Sequence, residues 1–543
     1  MNRRIAYALA AGSLIALLLF TATELLPSSS PRRVITRASP SGSVATLEGP
    51  SFGYNGAISR GPGWEAAAGP PGSPTFLGSV AQLRPNLLRY PGGTGSNFWH
   101  WQEGVAWDGY GEPNNVTNTL VQFANAIDSL DARGVQTTPI FVVNMLTRGA
   151  RDKDTRDPEG TLCPSTTESE VCLADQIEML SEARRLGLPV RYLELGNEFY
   201  LEGPGPVRSA YVQRFPTGAD YAREAQVWVR RLKSVFPGVK VAVVGAHRAS
   251  PASSRRRSWN EGIRSVFDAA TQADPTSRAD GFVYHLYKGS GLRLLPGFEK
   301  CGEKDPGCLQ RAFDHPDAPL AVLSMPQRGY EDFKQKLAGE MPAGARAWVT
   351  EFNLFDRSRV VGGTWAAGLF AATQHLLFLD RIDDHQDQGA VEIATLHNLV
   401  GPFGWGQIFR SADGFKEHPR RPGRTPLFGL TASGFAERLV GKAVDGAETR
   451  QRLSFSNNAV LSVASQEYPA LQGWVFENRA IILNLSSRFF SGNFSKLELG
   501  AQRYSQVSGS PRTQVVRASD LDMREGKVTG ALDVPPYSIT VLE

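Results

Sequence analysis

Between residues 51 and 440 the chain alternates short apolar runs with segments of helical spacing. The runs are SFGYNGAI, NLLRYPGG, TTPIFVVNM, VRYLELGN, KVAVVGA, DGFVYHLY, RAWVTEFN and VEIATLHN. Runs of this length, bounded by turn-forming residues, read as buried strands. Among the intervening segments, Tyr221, Ala225, Trp228 and Leu232 fall at i, i+4, i+7 and i+11, one apolar stripe on an otherwise charged stretch. Further helices are predicted over 120–130, 173–186, 330–337 and 365–379. Eight strands alternating with helices predict an α/β fold, a (β/α)8 TIM barrel over residues 51–440, in preference to a doubly wound open sheet.

The pattern changes at about Val440. AVLSVASQE, GWVFENRAIILNLS, KLELGAQRY and ALDVPPYSITVLE are strand-like with no helical spacing between them, which predicts a β-sandwich domain over 441–543. Residues 27–50, rich in Ser and Pro with almost no apolar periodicity, read as a flexible linker, although the sandwich has the option of borrowing a strand from the residues just before the barrel. Ahead of them, MNRR precedes an uncharged apolar stretch from Ile5 to Thr23, so residues 1–26 read as a signal peptide or an uncleaved N-terminal membrane anchor. Either reading places the folded part in a secreted or extracytoplasmic setting.

Composition narrows the classes. With 543 residues, 41% hydrophobic, and a formal net charge of +4, the chain buries a large core and lacks the basic excess of a nucleic-acid binder. Arg255, Arg256 and Arg257 form one compact basic run, read as a solvated loop. Cys163 with Cys172 and Cys301 with Cys308 are two close pairs, preferred here as local disulfides in an oxidising compartment. Zinc is the alternative, but neither pair has the C-x2-C spacing. Asn115, Asn484 and Asn493 open glycan-acceptor patterns, short ones that carry little weight.

Barrel active sites form at the C-terminal ends of the strands. YLELGNEFY places Glu198 just beyond the fourth strand, with Glu194 inside it as a structural carboxylate, and RAWVTEF places Glu351 at the end of the seventh. Two carboxyl groups on separate strand ends suit glycosidic bond cleavage, in which a poor leaving oxygen needs a proton and the oxocarbenium-like centre needs an anion or nucleophile.

With these residues in strand order, the chain resembles the retaining glycoside hydrolases of clan A. LELGNEFY is similar to the clan's Asn-Glu motif and WVTEFN to its nucleophile strand. FLGSVAQLRPNLLRYPGGTGSNFWHW, ADGFVYHLY and RTPLFGLTASGFAERLVG resemble segments of its heparanase-like (β-glucuronidase) members, and the Arg-x-Pro-Gly-Gly turn is similar to one in its α-L-arabinofuranosidases. The resemblance implies a glycosidase acting on a polysaccharide or glycoconjugate by double displacement, without metal or cofactor. It implies Glu198 as acid/base, with a pKa high enough to hold a proton, and Glu351 as nucleophile. Arg89 and Tyr287 would hold Glu351, and Asn197 would bond the sugar hydroxyl beside the anomeric carbon. His285, two residues before Tyr287, points the same way. Asn144, His397 and Trp405 lie at or past strand ends and are further candidates to line the subsite; Trp99 and Trp101 either wall the cleft or fill the core. Phe199 stands where the heparanase pattern has proline, and a long segment, 288–327, intervenes before the next helix, which leaves the sugar unassigned. The rivals are a carbohydrate-binding protein without turnover and an enzyme of other chemistry on the same barrel.

Overall fold

The computed structural model describes residues 33–47, 49–56, 64, 74–106, 117–147, 162–247, 254–380, 390–401, 405–409, 427–464, 466–494, 497, 499–500 and 503–543. The N-terminal segment 1–26 and Asn115 lie outside them. Among the described residues no helix is long and apolar enough to cross a membrane.

Eight parallel strands close a barrel in chain order: Phe52–Asn55, Leu87–Tyr90, Thr138–Val143, Tyr192–Leu195, Lys240–Val244, Gly281–Lys288, Arg346–Leu354 and Val391–His397. These are the eight apolar runs, now the first to eighth barrel strands. Leu87, Ile140, Tyr192, Ala242, Val283, Trp348 and Ile393 make a buried cluster of their own, one side chain from each of seven strands. Because strand side chains alternate, stepping two residues on from that layer brings Arg89, Glu194 and His285 into the next layer towards the C-terminal mouth. The seventh strand shifts register between Val349 and Glu351 against its sixth-strand neighbour, an irregularity of the kind that re-aims a side chain.

The helices cover the barrel with apolar faces. In Gly218–Val235 the stripe Tyr221, Ala225, Trp228 and Leu232 is buried, and Thr217 caps the first turn by accepting the Asp220 amide. Trp365–Leu379 is buried along its whole length, between the barrel and the C-terminal domain. The helix expected from 330 starts twelve residues earlier, as Ala318–Lys336, because Pro319 sits in its first turn and Pro326 is tolerated inside it.

Residues 33–46 are not a linker. They form a 14-residue strand, Arg33–Thr46, seventh in order in a nine-stranded sheet of the C-terminal domain. Its first half pairs in parallel with Phe489–Asn493 and its second half antiparallel with Thr449–Phe455. It thereby joins two parts of the sheet whose apolar faces meet: Phe490, Leu532 and Val534 pack in one cluster with Leu453, Leu471, Ile482 and Leu542. Apolar periodicity is absent because only Thr36 and Ala38 in this strand are buried; the backbone ladders on both edges hold it. The domain boundary also moves, since helix Ala432–Val444 runs through residue 440 and packs on both the barrel and the sheet. Asn484 is fully buried and donates to the carbonyls of Arg488, Val534 and Pro535, so it is no glycan acceptor in the folded protein; Asn493 is exposed.

Both cysteine pairs are disulfides, Cys163–Cys172 and Cys301–Cys308, the local pairing preferred from the sequence. A chain lacking residues 33–46 is expected to lose the join between the two parts of the sheet, and with it the cooperative unfolding of the C-terminal domain. Differential scanning calorimetry against the full chain checks this: an unchanged transition would contradict it.

Candidate active site

At the C-terminal mouth Arg89 is fully buried and organises the charges around it. Its Nη1 donates to Glu351 Oε1 at 2.8 Å, its Nε and Nη2 to Glu194 Oε2 at 2.9 and 2.7 Å, and Nη2 also to Asn197 Oδ1 at 2.8 Å. A planar guanidinium can do this because its donors are fixed in one fork. Glu194, inside the fourth strand, is thus the structural carboxylate expected of it.

Glu351 has further partners. Tyr287 Oη donates to Oε2 at 2.6 Å and Asn55 Nδ2 to Oε1 at 2.9 Å, with His285 Nδ1 and His397 Nδ1 at 3.5 and 3.6 Å from Oε2. Burial alone would raise its pKa, but the charges of His285 and Arg89 and the Tyr287 hydrogen bond more than offset this and hold it at about 2.

Glu198 stands just past the fourth strand with φ at +49°. The turn that carries it requires Gly196, which has φ +87° and whose Cβ would lie 2.1 Å from the Phe199 ring. Asn97 clamps the same turn, accepting the Asn197 amide at 2.9 Å and donating to its carbonyl at 2.6 Å. Glu198 Oε1 accepts from Tyr200 Oη at 3.0 Å and meets His285 Nδ1 at 2.9 Å. Burial pushes Glu198 up; the hydrogen bond and charge of His285 pull it below the usual carboxylate range. Conversely, burial would lower His285, but the charges of Glu351 and Glu198 raise it above the usual imidazole value. Without a bound ligand, His285 thus outweighs burial at Glu198. The contact between His285 Nδ1 and Glu198 Oε1 favours a charged imidazole beside a charged carboxylate.

Carboxylate oxygens of Glu198 and Glu351 and His285 Nδ1 lie within 4.8 Å of one another. Among the described residues this is the one grouping with metal-ligand atoms so close, and an ion there would have to displace the His285–Glu198 hydrogen bond. The pair faces a cleft of about 1190 Å³ whose walls include Glu198, Tyr200, His247, Tyr287, Glu351, His397 and Trp405. Trp405 stacks on Tyr287, with ring centroids 5.9 Å apart and planes at 25°. Asn197 is buried and its Nδ2 has no partner among the described residues.

The predicted residues Arg89, Asn197, Glu198, His285, Tyr287, Glu351, His397 and Trp405 are thus brought together. Asn144 is not: its Nδ2 donates to Trp99 O and Thr147 Oγ1 and its Oδ1 accepts from the amides of Leu146 and Thr147, so it holds the turn after the third strand. Trp99 is core, and Trp101 bonds Asp175. Sequence reasoning missed Asn55, Tyr200, His247 and Arg256. Asn55 ends the first strand and His247 follows the fifth, where the strand-end rule that found Glu198 applies equally. His247 is kept neutral, at about 3, by burial and by Arg256, whose guanidinium lies over the Tyr200 ring.

No family model matches the chain, and no curated protein sequence matches it. Solved structures do match. An α-L-arabinofuranosidase from Thermotoga maritima aligns over 94% of this chain and 99% of its own, with TM-score 0.53 and 15% identity. AbfB, a family 51 α-L-arabinofuranosidase from Bifidobacterium longum, aligns over 95% and 99%, with TM-score 0.58 and 13% identity. A GH51 arabinofuranosidase from Xanthomonas axonopodis pv. citri aligns over 94% and 99%, with TM-score 0.56 and 14% identity. The chain therefore shares the two-domain fold of these proteins, barrel and β-rich C-terminal domain together.

Two outcomes follow from the charge arrangement. Arg89→Met leaves Glu194 and Glu351 buried without their cation and should destabilise the fold by about 3–5 kcal/mol in denaturant unfolding. Glu351 titrates at about 2 in the folded protein and at roughly 4.3 when unfolded, so the unfolded state binds the extra proton in between. Its contribution is present above pH ~4.3 and lost as pH falls towards 2. Glu351→Gln should accordingly flatten the rise of stability with pH across that window, measured by denaturant unfolding at a series of pH values.

Proposed function

We propose that the chain is a retaining glycoside hydrolase that cleaves O-glycosidic bonds by double displacement. One observation carries the reading: two carboxylates, one on the seventh barrel strand and one in the turn after the fourth, come within 4.8 Å of each other beside His285. The short separation suits a retaining pair, for which the carboxyl groups stand about 5–5.5 Å apart, against about 6.5–9.5 Å when a water must fit between. The fold shared with arabinofuranosidases supports it.

In the first step a Glu351 oxygen attacks the anomeric carbon while the bond from that carbon to the leaving oxygen breaks. The leaving oxygen takes the proton that Glu198 shares with His285. In the second step water attacks the same carbon, its proton returns to the Glu198–His285 pair, and the bond to Glu351 breaks. Arg89, Asn55 and Tyr287 keep Glu351 ionised and oriented. The unpartnered Asn197 Nδ2 is the donor for the sugar hydroxyl beside the anomeric carbon. His397 and Trp405 wall the sugar site.

Motif likeness favours a heparanase-like enzyme and structural likeness an arabinofuranosidase, so the glycone panel must include both β-glucuronides and α-L-arabinofuranosides. The two disulfides favour an oxidising, extracytoplasmic setting, secreted or tethered through the N-terminal segment. On the active 4-nitrophenyl glycoside, Glu351→Ala should remove turnover. Glu198→Gln should lower kcat about 10²–10⁴-fold on substrates with poor leaving groups and less on nitrophenyl ones. A mechanism-based inhibitor should label the peptide containing Glu351. Absence of turnover across the panel, with glycan binding indifferent to Glu351→Ala, would favour a binding protein instead.

A further inference from the structure

The segment 288–327, which the proposed chemistry does not use, forms one wall of the same cleft. Arg293, Leu294, Glu299, Glu303, Leu309 and Met325 line it along with the carboxylate pair. The wall is built rather than loosely attached. Leu292, Leu295, Leu309, Phe313 and Val322 form a buried cluster with Val360, Val361 and Phe370 of the barrel, and the Cys301–Cys308 disulfide closes the turn before helix Pro306–Asp314. The C-terminal domain clamps it from behind: Arg512 donates to the carbonyls of Phe313 and His315, and Tyr468 to that of Leu320.

On the cleft side the wall presents polar heads across from the loop that follows the Glu351 strand. Glu303 lies 3.7 Å from Arg293 within the segment and 4.0 Å from Arg357 on that loop, with all three side chains about half exposed. Ion pairs this long and this exposed add little to stability, so holding the fold together is a poor account of them. Beside them Phe355, in the same loop, is 37% exposed, with the Arg357 guanidinium 4.8 Å from its ring centroid and Trp405 5.8 Å away. Alternating donors and acceptors next to an open aromatic ring are what a pyranose or furanose offers a match to, with its fan of hydroxyls and its apolar C–H face. The cleft volume of about 1190 Å³ exceeds the roughly 300–1,000 Å³ that encloses a drug-sized ligand, so one sugar does not fill it.

We propose that this disulfide-clipped wall builds a second sugar subsite, outside the carboxylate pair, from Arg293 and Glu303 on one side and Arg357 and Phe355 on the other. Its ligand is a hydroxyl-bearing saccharide unit joined to the one that is cleaved, so the substrate is an oligosaccharide or longer chain. The inference rests on the glycosidase reading for the words "is cleaved", and on the cleft alone for the binding.

The test compares kcat/KM on the active 4-nitrophenyl monoglycoside with that on di-, tri- and tetrasaccharides of the same sugar. Wild type should gain with chain length. Arg293→Ala and Phe355→Ala should each reduce the gain about threefold to tenfold, the worth of one hydrogen-bonding or stacking contact. Melting temperatures within about 2 °C of wild type would show that the two exposed-site variants fold. Efficiency independent of chain length, or equal losses on every substrate, overturns the subsite. Should no glycoside turn over, the catalytic reading falls separately, and the same oligosaccharides are titrated calorimetrically against Glu351→Ala with and without Phe355→Ala. Weaker binding of the double variant sustains the subsite; equal binding, or none to either, removes it.

Discussion

The site depends on one guanidinium placed where water cannot reach it. Arg89 joins Glu194, Asn197 and Glu351, three side chains from two strands, and a buried cation is tolerable only because all of these accept from it. The two carboxylates are needed together: Glu194 occupies one edge of the fork, which turns the remaining Nη1 towards Glu351. Oriented in this way, the cation holds a fixed positive charge against Glu351.

From that fixed point the two acids divide. Glu351 sits against donors on every side, so its negative charge is solvated by protein. Glu198 faces an imidazole that is itself between two carboxylates, so its charge is set by that neighbour. The arrangement behaves as a coupled unit, and a titration would report the Glu198–His285 pair rather than either residue.

Much of this was legible in the chain, because the rules that reveal it are local. Period-two alternation puts His285 and Tyr287 on the face that carries Val283, and a strand end followed by Gly196 marks the turn of Glu198. What was not legible came from contacts between distant segments. Residues 33–46 show no strand periodicity because backbone ladders, one for each half, hold them rather than an apolar face, with partners more than 400 positions away. Asn144 was misjudged because a strand-end amide can serve its own turn as readily as a ligand, and sequence does not say which. The pull of His285 on Glu198 was not legible because it comes from a residue of another strand.

The strand Arg33–Thr46 also fixes an order of events. A ribosome releases it ahead of the whole barrel, yet its neighbours Thr449–Phe455 and Phe489–Asn493 are made last. For most of synthesis a long edge with open backbone groups on both sides has nowhere to dock, and such edges invite pairing with foreign strands. Thr36, Ser39 and Ser41 make it polar and Arg33 and Arg37 add charge at its start, the kind of residues that discourage such pairing.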